Sequence, residues 1–162
     1  MKKIAPCLWF DNEAEEAARF YVSIFKNSKI KKIVRRSENT AKRTGRKKGS
    51  VLTVFFTLNG QDFMALNGGP EFKFTQAVSL MAPCKTQKEL DRVWKKLTAG
   101  GGKGVACSWL RDKYGLSWQI IPDDLEKLIG DKDSKKSDRV LNQVWSMVKL
   151  DIAALRRAYK GA

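Results

Sequence analysis

The sequence predicts an α+β fold made of two similar modules, each running strand–helix–strand–strand–strand, with helices after them. Three observations predict it. Residues 51–58 alternate like a half-buried strand, end in Asn59-Gly60 and return through 61–67. Two helical patterns, opened by Asn12 and Thr86 with Glu three positions on, each precede short strand-like runs. Beyond Pro122 the apolar residues recur at helical spacing.

Taken in order, residues 4–10 (Ile-Ala-Pro-Cys-Leu-Trp-Phe) form a first strand, with Pro6 arguing for an edge or irregular position. Asn12 and Glu15 then read as a capping box for a helix whose stripe is Ala14, Ala17, Ala18, Tyr21, Ile24 and Phe25. Residues 30–36 make a strand through Ile30, Ile33 and Val34, and 37–49 lack periodicity and read as a mobile loop. In the 51–58 strand, Leu52, Val54, Phe56 and Leu58 form an apolar face, and Val51, Thr53, Phe55 and Thr57 a mixed one. A two-residue turn sets Thr53 opposite Leu66 and Phe55 opposite Met64.

The second module repeats the order. Residues 76–83 make a strand, and Thr86 with Glu89 cap a helix bearing Leu90, Val93, Trp94 and Leu97, stopped by Gly100–Gly102. Short strands follow near 105–111 and 116–121 around Lys113-Tyr114-Gly115. After a short segment at 123–130 comes a helix near 134–148, with Val140, Leu141, Val144, Trp145 and Val148 on one face. Asp151 caps a last helix carrying Ile152, Leu155 and Tyr159. The expected organisation is one domain, 1–162, with modules at about 1–70 and 71–122 and a helical extension at 123–162.

Composition narrows the chemistry. The 162 residues are 43% hydrophobic and 10% aromatic, as in a globular chain. There is no histidine, which removes Ser-His-Asp and Cys-His catalysis and every histidine-bearing metal site. Cys7, Cys84 and Cys107 form no Cys-x-x-Cys pair and read as small buried hydrophobes, with no base beside them to make a nucleophile. Asp123-Asp124 reads as a helix first turn. No apolar run is long enough to span a bilayer and the opening residues read as a strand, so the expected location is cytoplasmic, away from membranes. The net charge is +15, and residues 29–48 carry ten basic residues against Glu38 alone. Such a segment could neutralise phosphates nonspecifically, but it has no aromatic residue to stack on bases.

Segments along the chain resemble the PhnB-like branch of the vicinal-oxygen-chelate superfamily, the glyoxalase/bleomycin-resistance fold. They are Pro6-Cys7-Leu8-Trp9-Phe10-Asp11, Glu15-Glu16-Ala17-Ala18, Phe20-Tyr21, Ile24-Phe25, Phe63 to Pro70 and Phe72-Lys73-Phe74. Trp109-Leu110-Arg111-Asp112, Tyr114 to Gln119, Pro122 and Asp151 to Leu155 complete the set. The resemblance implies two βαβββ modules whose curled mixed sheets share a pocket, often in a homodimer. Many members hold a divalent metal there by four His, Glu or Gln side chains. Aligned on Phe20-Tyr21, those positions fall at Pro6, among Met64, Ala65 and Leu66, near Ser79, and at Gln119. One amide and one hydroxyl make a poor donor set, so no metal is expected. The family also bears a ubiquinone-precursor methyltransferase label, but the sequence lacks the Gly-rich strand–helix loop that a nucleoside cofactor usually needs. Ser108 stands where relatives often have Gly.

These readings make the chain a small-molecule binding protein or cryptic enzyme of the glyoxalase/bleomycin-resistance class, without metal or cofactor. Its pocket is expected at Leu8, Thr53, Phe55, Met64, Ser79, Trp109 and Gln119, suited to an amphiphilic or aromatic molecule. Gln119 is either a ligand contact or an ordinary strand residue, and Trp9, Trp109 and Trp118 either wall the pocket or fill the core. The alternative is a nucleic-acid or acidic-partner adaptor acting through 29–48.

Overall fold

A computed structural model describes residues 3–161, in two compact units that meet in sequence between Phe74 and Thr75. The first holds β1 (Cys7–Phe10), α1 (Ala14–Ile24), β2 (Lys29–Arg35), α2 (Glu38–Thr44), β3 (Val51–Leu58) and β4 (Gln61–Asn67). Its sheet runs β1-β4-β3-β2, with β1 parallel to β4 and the other pairs antiparallel. The hairpin forms as the sequence predicts: Asn59 and Gly60 both have positive φ, and Thr53 lies opposite Leu66 and Phe55 opposite Met64.

Helix α1 buries Ala14, Ala17, Ala18, Tyr21 and Ile24 against β3 and β4, where Val54, Phe56 and Ala65 are fully buried. Three alanines let the helix lie close to the sheet, and Tyr21 fills the space that remains. Each large side chain so buried contributes about 1.5–3 kcal/mol.

Two expectations fail in this unit. Asn12 does not cap α1; Glu13 holds the cap position without a side-chain bond, and the Ala14 N–H donates instead to Asn67 Oδ1 at 2.9 Å. Asn12 Oδ1 is taken by Arg46. Nor is 37–49 a loop throughout. Ser37 Oγ accepts from the Thr40 N–H, α2 follows, and Gly45 ends it with φ of 64°. Only Ala41 of this helix is buried, so no apolar stripe announces it.

The second unit holds β5 (Ser79–Cys84), α3 (Gln87–Thr98), β6 (Lys103–Gly104), β7 (Trp109–Arg111), β8 (Ser117–Pro122), α4 (Leu125–Ile129), α5 (Ser134–Trp145) and α6 (Ile152–Lys160). Its sheet runs β5-β8-β7-β6, again with one parallel pair, β5 with β8. Both units therefore have the βαβββ order, α2 being an insertion in the first. Thr86 Oγ1 caps α3 through the Glu89 N–H, and Glu89 Oε2 accepts from the N–H of Lys85, one residue before the cap. Asp151 caps α6 as expected.

The α5 stripe is narrower than its spacing suggests. Ser137, Val140 and Val144 are buried, whereas Trp145 is 63% and Val148 55% exposed. The helix ends at Trp145, so Val148 lies beyond it, and Trp145 is turned one residue past the stripe. Ser108 sits at φ of 63° and its neighbour Cys107 at 59°, a conformation that ordinarily favours Gly. It is held there by the Ser108 hydroxyl donating to the Ile120 carbonyl, and by the N–H groups of Cys107 and Ser108 donating to the Met147 and Val148 carbonyls.

Candidate functional site

Register decides which predicted site residues share a face. In the first unit Cys7, Met64, Phe55 and Lys32 form one row across the sheet, and Trp9, Leu66, Thr53 and Val34 the next row on that side. Thr53, Phe55 and Met64 are thus brought together on the face away from α1. Phe55 is 39% exposed, unusual for a central-strand phenylalanine. Leu8 is not with them. It pairs with Ala65, in the row of Val54, and is buried on the α1 side. Its assignment to the pocket is corrected by the parallel β1–β4 register, which turns Cys7 and Trp9 to the mixed face instead. The Trp9 Nε1–H donates to the Gly69 carbonyl at 2.9 Å, and Phe72 packs edge-on with the indole at 4.9 Å.

In the second unit Met81, Gln119 and Trp109 form a row, and Ser79 lies on the same side two residues before Met81. Gln119 Nε2 donates to Ser79 Oγ at 2.9 Å, so these two predicted residues touch. Met81, absent from the predicted set, is 60% exposed beside them. Its two-residue spacing from Ser79 was the available signal. The opposite face carries Ala82, Leu110, Trp118 and Ile120, all buried, with α3 against β5, β7 and β8. Trp118 therefore fills the core, its Nε1–H donating to Asp112 Oδ2 at 2.9 Å, whereas Trp109 is half-buried on the mixed face.

The side chains at the four positions that the family resemblance aligns with metal ligands do not suit a divalent cation. Pro6 offers only its carbonyl, which accepts from the Met64 N–H at 3.0 Å, and Met64, Ala65 and Leu66 offer no oxygen or nitrogen. Ser79 and Gln119 are neutral and bonded to each other. Among the described residues no three His, Cys, Asp or Glu gather. A site without an anionic or imidazole donor holds such an ion weakly.

The cysteines are free thiols. Cys84 is buried as expected, and burial pushes its thiol up to about 12. Cys7 is exposed, contrary to the expected buried role, yet desolvation of its sulfur still raises its pKa. A raised pKa leaves little thiolate at neutral pH.

The basic segment is woven into the first unit. Lys31 pairs with Asp62, Arg35 with Glu15, Arg46 with Asp11, and Lys42 and Lys48 with Glu38. Arg36 is buried and bonds backbone carbonyls. Lys29, Lys32 and Lys47 are exposed. Six of the ten basic residues thus lie in β2 and α2, and Arg36, Arg46, Lys47 and Lys48 in the segments beside them.

Two βαβββ units, each a four-stranded mixed sheet backed by a helix, define a vicinal-oxygen-chelate protein of the glyoxalase-like fold. Within that class the chain belongs to the PhnB-like 3-demethylubiquinone-9 3-methyltransferase family, whose model matches residues 2–121. It is similar to the PhnB protein of Bacillus cereus, whose methyltransferase name is provisional. Identity is 40% and the TM-score 0.65, over 74% of this chain and 99% of that one. Protein PA1353 of Pseudomonas aeruginosa shares the fold at 17% identity and a TM-score of 0.58, over 75% of this chain and 97% of that one. No curated protein matches the chain. Among the described residues no helix is long and apolar enough to cross a membrane.

Proposed function

We propose that this chain is a small-molecule receptor of the vicinal-oxygen-chelate class that works without a metal. The ligand is amphiphilic or aromatic. Its candidate contacts are Thr53, Phe55 and Met64 in the first unit, and Ser79, Trp109 and Gln119 in the second. The observation that carries the reading is the Gln119–Ser79 hydrogen bond, at 2.9 Å, which joins two of the positions that the family resemblance aligns with metal ligands. It leaves the Gln119 Oε1 as an acceptor beside the apolar Met81 and Trp109, a combination suited to orienting a neutral polar group on an apolar body. Methyl transfer is a weaker reading, because neither sheet is the doubly wound parallel kind in which a glycine-rich loop usually holds a nucleoside cofactor. Three free thiols fit a reducing compartment, and we place the protein in the cytoplasm, as a homodimer.

The test is metal analysis of the purified chain, together with a thermal-shift screen of metabolites and divalent ions. The reading expects substoichiometric metal and at least one organic hit whose shift is lost in Gln119→Leu. Stoichiometric Ni, Zn, Mn or Fe, lost on Gln119→Leu, would overturn it.

A further inference from the structure

The family match ends at Ile121, and the Bacillus cereus relative is spanned almost whole by 74% of this chain. The last quarter, α4 to α6, lies beyond that family match and builds a surface of its own. A cleft of about 520 Å³ opens between the β5–α3 corner, at Lys85, Thr86 and Gln87, and one side of α6, at Ile152, Ala153, Arg156, Arg157 and Lys160. We propose that this cleft binds a compact polyanion carrying several phosphate groups, at a site separate from the sheet faces discussed above.

The charge argues for it first. Ala153, Arg156, Arg157 and Lys160 follow one another at the spacing of a single helix face, opposite buried Leu155. Like charges three and four residues apart repel on a helix, so this stripe costs α6 stability unless an anion answers it. Asp124 answers only Arg156, at 3.0 Å. Lys85, Arg157 and Lys160 are exposed and have no carboxylate partner among the described residues. Three cations therefore border one concavity without a counter-charge.

The walls are also fixed to each other, as a site needs. Gln87 joins them: its Nε2 donates to the Leu150 carbonyl at 3.1 Å and its Oε1 accepts from the Ile152 N–H at 2.9 Å. Lys149 pairs with Asp91 of α3 at 2.6 Å, and Arg139 of α5 donates to the Ala158 and Tyr159 carbonyls at the far end of α6. With α6 held at both ends, its cations need little ordering when an anion arrives. A terminal phosphate chain also suits the cleft better than a duplex does. The cations sit in a hollow, and no aromatic side chain lines it for base stacking.

The experiment is calorimetric titration of the full chain with inorganic tripolyphosphate at fixed ionic strength. The triple variant Lys85→Gln/Arg157→Gln/Lys160→Gln is compared with a charge-matched control, Lys29→Gln/Lys32→Gln/Lys47→Gln. One saturable site is expected. It should be about tenfold or more weaker in the cleft variant and within about twofold of the parent in the control. If the triple variant does not fold, judged by circular dichroism, Arg157→Gln alone should still weaken binding by about threefold. Absence of saturable binding to the parent, or equal losses in cleft and control variants, would overturn the proposal. So would duplex DNA binding more tightly than tripolyphosphate and losing affinity in the cleft variant. Because the cleft variants leave the sheet faces untouched, failure here leaves the thermal-shift result for the receptor reading intact.

Discussion

Arg36 Nη2 donates to the Asn67 carbonyl at 2.6 Å, joining the residue just after β2 to the end of β4 across the sheet. Arg36 Nη1 reaches the Val51 carbonyl at 2.6 Å, and Asn67 Nδ2 donates to the same oxygen at 3.1 Å. Asn67 Oδ1 takes the first N–H of α1. A charged residue from a basic run and an amide from the Asn-Gly-Gly-Pro stretch thus lock the strand ends and the helix start into one network. Burial, and then the neighbouring Arg46 charge, lower the Arg36 pKa, as expected for a buried guanidinium whose bonded acceptors are backbone carbonyls and the Ser50 hydroxyl.

Asn67→Ala removes an acceptor and a donor together and strands the Ala14 N–H. Buried unsatisfied groups cost about 1–3 kcal/mol each, so a loss of about 2–4 kcal/mol is expected from urea unfolding. Asn67→Asp keeps the acceptor for Ala14 but loses the bond to Val51, and should fall between parent and Ala. A loss under about 0.5 kcal/mol for Asn67→Ala would show that the network is ornamental.

These residues also mark where sequence reading stops. The 51–67 hairpin was legible because strand alternation and the Asn-Gly turn are local properties. The α1 cap was not, because its acceptor lies 53 residues away on β4. Leu8 was placed on the wrong face for the same kind of reason: alternation gives two faces, and only the parallel pairing with Ala65 says which one α1 covers. Helix α2 escaped because seven residues with a single buried alanine have no periodicity to read. Of the candidate site, Ser79 and Gln119 were legible only as separate positions, their hydrogen bond was not, and neither was Met81 beside them.

Gly68→Ala tests the aromatic corner. A Cβ there would stand 2.3 Å from the Trp9 ring, which is held by its bond to the Gly69 carbonyl and by Phe72. The ring cannot retreat without losing both contacts. Overpacking of this kind costs about 1–3 kcal/mol, and the Trp9 contribution to fluorescence should shift to the red as the indole becomes wetter. An unchanged melting temperature and spectrum would mean that Trp9 has a second equally good position.

Cys84 gives a pH dependence with a definite sign. Desolvation by burial, reinforced by Glu89, raises its pKa from 9.0 to about 12. Above pH 9 the unfolded thiol loses its proton while the folded one keeps it, so the unfolded state binds fewer protons and stability falls as pH rises. The slope from this group approaches about 1.4 kcal/mol per pH unit between the two values. Cys84→Ala should flatten the alkaline limb of a stability–pH profile relative to the parent, with no effect on its shape below pH 8. Parallel profiles above pH 9 would refute the assignment.

Asp112 organises the turn before β8 as Asn67 organises the end of β4. It is buried, and its Oδ1 accepts from the N–H groups of Tyr114 and Leu116 at 2.9 and 3.0 Å while Oδ2 accepts from the Trp118 indole. Three donors converge on one carboxylate, which no neutral side chain of the same shape can accept. Asp112→Asn keeps one oxygen and turns an amide NH₂ toward either the turn N–H groups or the indole, so one donor set faces another. About 2–4 kcal/mol of stability should be lost, as for a charge-assisted bond broken inside a core, with Asp112→Ala at least as costly. Urea titration followed by tryptophan emission reads both effects. A variant as stable as the parent would mean that the carboxylate is not what holds Trp118 beneath the sheet.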